Sequence, residues 1–240
     1  MLSSPVLFLA SLLWLIPGIL IAIPVHSMAH ALVAEPLGDP GPRNRGYLSL
    51  REPRRYFSTY GTLMFVWFRA GWPEEPPVNE HRFNTAWAKA AYALAGPVAN
   101  LLVGVAFGLL TRLLELRGGI PYAEGIIPQP LILATTLCWA IAFANLAAYA
   151  FNLLPIPGLD GWRVVEAIFL PLNRRWFYEM AMRRYQIVQI AIVILFIASF
   201  IGIGILGWVM SPFYEPVSIL LFGTCRPYPF LAPCLPLASF

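Results

Sequence analysis

The chain has 240 residues, of which 59% are hydrophobic and only 12% charged, with a mean hydropathy of +0.69 and a formal net charge of +4. Soluble domains carry about a quarter charged residues, so this chain has half the usual supply for a water-facing surface. That excludes a disordered chain and a soluble nucleic-acid binder, and it makes lipid the expected solvent.

Charge-free runs mark the candidate spans in chain order. Residues 1–34, 90–111, 125–159 and 185–214 each lack Asp, Glu, Lys and Arg, and each exceeds the roughly 20 residues needed to cross a bilayer. The run at 56–68 has 13 residues, too few to cross unaided, and reads as a re-entrant or interfacial segment. The first run carries no Lys or Arg at its start and so lacks the basic n-region of a signal peptide; it is expected to remain as a span. Pro17, Gly18 and Pro24 should kink or loosen it. Pro128 and Pro130 precede the third span while Pro155 and Pro157 end it, which predicts a helix over 131–154. The apolar tail after Glu215 is broken by Arg226 and by Pro227, Pro229, Pro233 and Pro236, and at most a short helix is expected there.

Loop charge orients these spans. Loops 35–57 and 157–184 carry five arginines each, whereas 112–124 carries only Arg112 and Arg117. The two rich loops should face the cytoplasm, leaving both termini outside, provided that 56–68 dips in and returns. Arg174, Arg175, Arg183 and Arg184 are read as orientation charges, with anionic lipid contact secondary. Trp72, Trp87, Trp162, Trp176 and Trp208 fall near span ends and are expected as interfacial anchors. Cys138 reads as packing inside a span, and Cys225 and Cys234 share the outer tail, where a disulfide is permitted but not demanded. With no internal repeat and no linker, residues 1–240 read as a single membrane domain, with the motifs in a core over 1–170 and a further helix and Pro-rich tail over 171–240.

His26 and His30 are four residues apart and so share one helix face about 6 Å apart. Two imidazoles so placed can hold one divalent ion, or serve as a helix-surface hydrogen-bonding pair. Ionisable residues at membrane depth are costly and usually functional. Asp160 lies at the cytoplasmic end of the third span, the same side as the histidines. Two imidazoles and a carboxylate make an open, catalytic-type zinc set; Asp160 alone serves equally well as an N-cap for a helix over 162–169. Gly96 and Asn100, one helical turn apart, fit either close helix packing or a role toward substrate.

The order HxxxH at 26–30, Gly96-Pro97-Val98-Ala99-Asn100, and NxxPxxxLDG at 152–161 resembles the site-2 protease family of intramembrane zinc metallopeptidases, in its short bacterial form. The likeness extends through Leu37-Gly38-Asp39-Pro40 and Gly46-Tyr47-Leu48-Ser49-Leu50 and covers roughly residues 15–170. The resemblance implies an all-α polytopic membrane protein of the inner (cytoplasmic) membrane. Its core would be three transmembrane helices, with at least one further helix and a re-entrant or short-strand segment near 46–68. It also implies zinc held by His26, His30 and Asp160, and Asn100 near the reacting carbonyl.

One position departs from the pattern. The family reads HExxH, with Glu as general base, and this chain has Ser27 there. A seryl hydroxyl takes no proton near neutral pH, and losing a positioned base typically costs about 10²- to 10⁴-fold. Glu35 would fall on the opposite helix face and beyond reach, and Asp39 matches an acidic position of the family pattern, so neither replaces it. The reading is therefore a catalytically impaired pseudoprotease that keeps a zinc site and acts as scaffold or binding subunit. Its partners would be membrane lipid and the transmembrane helix of a substrate or partner protein, with no nucleic acid. The alternatives are a working intramembrane protease with an unusual base, a working enzyme inactivated by laboratory substitution at position 27, and an unrelated transporter.

Overall fold

A computed structural model describes residues 5–83, 85–117 and 130–223. Among these described residues lie nine α-helices: α1 (Pro5–Ala34), α2 (Gly41–Asn44), α3 (Thr59–Phe68), α4 (Ala86–Leu116), α5 (Pro130–Asn152), α6 (Asp160–Phe169), α7 (Arg174–Met182), α8 (Arg184–Phe200) and α9 (Ile205–Phe222). The described residues contain no strand, so the segment near 46–68 is helical turns and a short helix. Among the described residues, four helical stretches are long and apolar enough to cross a membrane: Leu12–Ala34, Trp87–Leu116, Pro130–Asn152 and Ile205–Phe222. The protein is an all-α, multi-pass membrane protein.

Helix α5 forms the centre. Its side chains from Thr135 to Asn152 are largely buried, and α1, α4 and α9 pack around it. Close approach is built from small residues: a Cβ at Gly18 would lie 2.5 Å from the Ala140 carbonyl oxygen, so α1 meets the Ala140/Ala144 face of α5 almost backbone to backbone. Small residues are what let helices associate where lipid removes the hydrophobic driving force between them. The outer faces read as lipid contacts. Leu9, Leu13, Ile16 and Leu20 line one exposed stripe of α1, and Val98, Leu102, Leu109 and Leu113 one of α4.

Helix α1 runs unbroken through Pro17 and Pro24, so the expected loosening does not interrupt it. In a membrane, neighbouring helices can compensate for the hydrogen bonds that proline removes. A second difference lies at 185–214, which is not one span. The chain breaks at Ile201–Gly204, where Gly202 takes φ +80°, and α9 continues past Glu215 through Pro212 and Pro216. Helices α7 and α8 meet at a 66° bend. Cys225, Cys234 and the rest of the tail lie outside the described residues.

The short run behaves as its length requires. Ser58 caps α3 by accepting from the Gly61 amide, and Arg69 ends it in the left-handed region at φ 61°. The chain then doubles back along α3: a Cβ on Gly61 would sit 1.9 Å from the Trp72 carbonyl oxygen, and one on Gly71 would sit 2.1 Å from that of Gly61. Two glycines thus allow helix and returning chain to touch. Trp72 stacks on Phe151 of α5 with centroids 5.9 Å apart, and Trp162 is buried against Trp176 and Phe177. These two tryptophans pack inside the protein, while Trp87 and Trp208 stay largely exposed, at 76% and 71%.

Both arginine-rich segments meet the same returning chain. Asp39 accepts from the Asn79 amide at 2.7 Å, and Arg163 pairs with Glu75 at 2.6 Å. Single cysteines at the exposed positions Asn44 and Arg174 should accordingly be labelled by an impermeant maleimide from the same side of sealed vesicles. Labelling from opposite sides would contradict this arrangement.

Candidate metal centre

Three elements supply the site. His26 and His30 lie on the face of α1 that α4 and α6 cover, and both are only 1% exposed. Asp160 arrives by a turn spelled out in the NxxPxxxLDG segment. Helix α5 stops at Asn152, whose side chain bonds back to the Ala148 carbonyl at 2.8 Å. Pro155 and Pro157 prevent its continuation, and Gly158 turns at φ +104°. A Cβ at Gly161 would fall 2.1 Å from the Leu153 carbonyl oxygen; glycine therefore lets the start of α6 fold tightly onto the end of α5. Asp160 is the first residue of α6, and Leu159 takes the N-cap position without a side-chain bond. Its carboxylate turns to the histidines and does not cap.

The geometry at the centre is close. His26 Nε2 lies 2.9 Å from Asp160 Oδ2, His30 Nε2 lies 3.2 Å from the same oxygen, and the two Nε2 atoms are 3.0 Å apart. The far side of each ring decides which protons are present. Asn100 donates through Nδ2 to the Ala22 carbonyl at 3.0 Å and to Asn145 Oδ1 at 2.9 Å. Asn145 in turn donates to the Ile141 carbonyl. With both amides oriented by backbone carbonyls, Asn100 presents Oδ1 to His26 Nδ1 at 2.6 Å. His26 must donate there, and His30 Nδ1 must donate to the Tyr92 carbonyl at 2.8 Å. In the neutral rings both Nε2 atoms therefore carry lone pairs, and they converge with a carboxylate oxygen. Three buried acceptors so close need positive charge among them, supplied by a proton on one ring or by a bound cation, and imidazole with carboxylate is a donor set that can hold zinc, with outer nitrogens held as metal-binding histidines require.

Gly96 makes room for the pair. A Cβ there would lie 2.4 Å from Nε2 of both histidines, so no other residue fits without displacing the rings. The amide of Asn100 is fully engaged, by His26, Ala22 and Asn145, at 0% exposure.

Burial works against charge on Asp160, and positive charge placed on His30 and His26 outweighs it and holds the carboxyl below its ordinary range, the part that a cation among the neutral rings would play. Its other oxygen, Oδ1, accepts from Arg163 at 3.4 Å. Burial likewise opposes charge on Arg163, but Glu75, Asp160 and Glu80 outweigh it and keep the guanidinium protonated. Composition suggested only an orientation charge at Arg163, since nothing in the local sequence pairs it with Glu75, 88 positions away. Tyr92 and Asn145 are equally silent in sequence, both appearing as ordinary span residues.

Ser27, at 0% exposure, donates to the Glu74 carbonyl at 2.9 Å. Glu35 pairs with Arg43 at 3.1 Å and stays away from the centre. Asp39 is a buried hub for Gly41, Asn79 and Arg82, whose bonds to it fall between 2.7 and 3.1 Å.

Comparison with known proteins agrees with this constellation. The chain is 30% identical over 162 residues to "Putative zinc metalloprotease YwhC" of Bacillus subtilis, covering 66% of this chain and 70% of that protein. The chain belongs to the site-2 protease family of intramembrane zinc metallopeptidases. "Putative zinc metalloprotease Rip2" of Mycobacterium tuberculosis H37Rv is 29% identical over 216 residues, 88% of this chain and 75% of that protein. Its counterpart in Mycolicibacterium smegmatis is 30% identical over 176 residues, 71% of this chain and 63% of that protein. No family model and no solved structure matches the chain. Zinc is the expected cofactor of this site-2-protease-like protein.

Two substitutions test the construction of the centre. Gly96→Ala should abolish zinc binding by the purified chain, since its methyl occupies the space of the ligand nitrogens. Asn100→Ala should weaken binding about 10- to 100-fold, the usual cost of removing the partner of a metal-bound histidine. Metal titration reads both, and unchanged affinity in Gly96→Ala would contradict the geometry.

Proposed function

We propose that this protein is a metal-holding, catalytically impaired member of its family. It binds zinc through His26, His30 and Asp160 in the cytoplasmic membrane and serves as scaffold or binding subunit for the transmembrane helix of a partner. The observation that carries the reading is Ser27. It occupies the base position of HExxH, and its hydroxyl is spent on the Glu74 carbonyl at 2.9 Å. Bound zinc supplies Lewis acidity. The chain's own residues would hold the ion, orient its ligands through Asn100 and the Tyr92 carbonyl, and exclude water by burial. Moving a proton is the one task left without a group on α1.

Asn100 belongs to this reading as a positioning residue acting through His26. Its three polar contacts leave it no free donor for a peptide carbonyl.

A second reading has one observation behind it. Glu74 and Glu75 lie on the chain that crosses Ser27, so a carboxylate from that segment could act where Ser27 cannot, and the chain would then be a working protease. The two readings part on activity. With a transmembrane-helix substrate in proteoliposomes, the unmodified zinc-loaded chain should show cleavage at least about 100-fold below that of Ser27→Glu, in line with the worth of a positioned base. Robust cleavage by the unmodified chain, abolished by both His26→Ala and Glu74→Gln, would establish the protease reading in its place.

A further inference from the structure

Residues 70–79, Ala70-Gly71-Trp72-Pro73-Glu74-Glu75-Pro76-Pro77-Val78-Asn79, form no regular secondary structure and pass beside the metal centre, where Glu74 meets Ser27 and Glu75 meets Arg163. Three prolines fix φ and remove three backbone donors, so the segment is stiff and unable to join a regular ladder. Besides the stack of Trp72 on Phe151 and the bond from Asn152 Nδ2 to the Gly71 carbonyl at 3.4 Å, its fastenings are the following. At one end Gly71 lies against Gly61 of α3. At the other the Asn79 amide donates to Asp39 at 2.7 Å. In the middle the Glu74 amide donates to the Tyr56 carbonyl at 2.8 Å, and the Glu74 carbonyl accepts from Ser27. Arg163 grips both carboxylate oxygens of Glu75 at 2.6 and 2.9 Å while also touching Asp160 Oδ1 at 3.4 Å. The fastenings at Ser27 and Arg163 lead directly to the metal ligands: Ser27 follows His26 in the chain, and Arg163 touches Asp160.

We infer that residues 70–79 form a strap closed over the metal centre, and that Ser27 is its latch, so that access to the site is controlled by lifting the middle of the strap between its anchored ends. The inference rests on the metal-holding reading of this site. Its chemical core is a difference between two side chains at one position. An ionised glutamate at 27 has no proton to give the Glu74 carbonyl and would present oxygen to oxygen, whereas serine donates. The exchange of base for hydroxyl thus takes away a proton acceptor and supplies a fastening at the same atom. The occupant that would displace the strap is an extended stretch of a partner chain, which can offer a backbone carbonyl to Ser27 and a carboxylate to Arg163 as Glu74 and Glu75 do.

Hydrogen exchange of the full chain in nanodiscs, read by mass spectrometry with zinc content measured on the same samples, tests the latch without any assay of activity. Loss of one neutral hydrogen bond should raise exchange of the non-proline amides over 71–79 by about three- to tenfold in Ser27→Ala and at least as much in Ser27→Glu. Glu75→Gln, which weakens the second fastening, should raise it as well. Ser27→Thr, which keeps the hydroxyl, should stay nearer the unmodified chain, and α5 peptides over 135–152 should not change in any of them. Unaltered exchange over 71–79 in both Ser27→Ala and Glu75→Gln overturns the latch. So does an equal rise in α5, which would make these side chains general packing groups. Absence of zinc from the unmodified chain overturns the metal-holding reading instead, and the two failures are read on separate instruments.

Discussion

The arrangement depends on one constraint: two imidazole nitrogens and one carboxylate oxygen, all acceptors, meet at 2.9 to 3.2 Å in a buried place. Unshared lone pairs at that distance repel, and burial denies them water. The rest of the core reads as the means of enforcing this meeting. Asn145 orients Asn100, Asn100 orients His26, and the Tyr92 carbonyl orients His30. The chain of amides runs from α5 through α4 to α1, so the same bonds that hold three membrane helices together fix the tautomers at the centre. Gly96 and Gly161 supply the room, one beside the rings and one beneath Asp160.

Such a network is stable in lipid only when each member is satisfied, since a partly satisfied one would be worse than an apolar core, and the two Nε2 atoms with Asp160 Oδ2 are satisfied only with positive charge among them. The change at position 27 leaves it untouched. Ser27 points out of the ligand set toward the Glu74 carbonyl, and none of the hydrogen bonds around His26, His30, Asn100 or Asp160 involves it. On the proposed reading, holding an ion and moving a proton are thereby separable in this protein.

Much of this was legible in the sequence, for identifiable reasons. The i, i+4 histidines, the proline-stopped third span and the Asp that follows it are local patterns, and each survives in the fold at its expected place. The thirteen-residue run at 56–68 was too short to cross, and it returns as α3. What could not be read was long-range or unpunctuated. The break at Ile201–Gly204 sits in a charge-free run where only Gly202 and Gly204 mark it, and α9 continues through Pro212 and Pro216, residues that on local propensity end a helix, and past Glu215, where the charge-free run stops. Arg163 joins Asp160 to Glu75 across 88 positions, a partnership that no local rule detects. The strap is hidden for the same reason, since a Pro-rich stretch reads as a loop until the fold lays it across Ser27.

The account stands or falls on the ion. X-ray absorption at the zinc edge on the purified full chain, with metal content determined in parallel, examines the ligand set directly. The account predicts one zinc per chain with a first shell of two imidazole nitrogens and carboxylate oxygen at about 2.0 to 2.2 Å, lost on replacing His30 by Ala. A chain that takes up no zinc, or one whose zinc keeps the same shell after His26, His30 and Asp160 are each replaced, would contradict it.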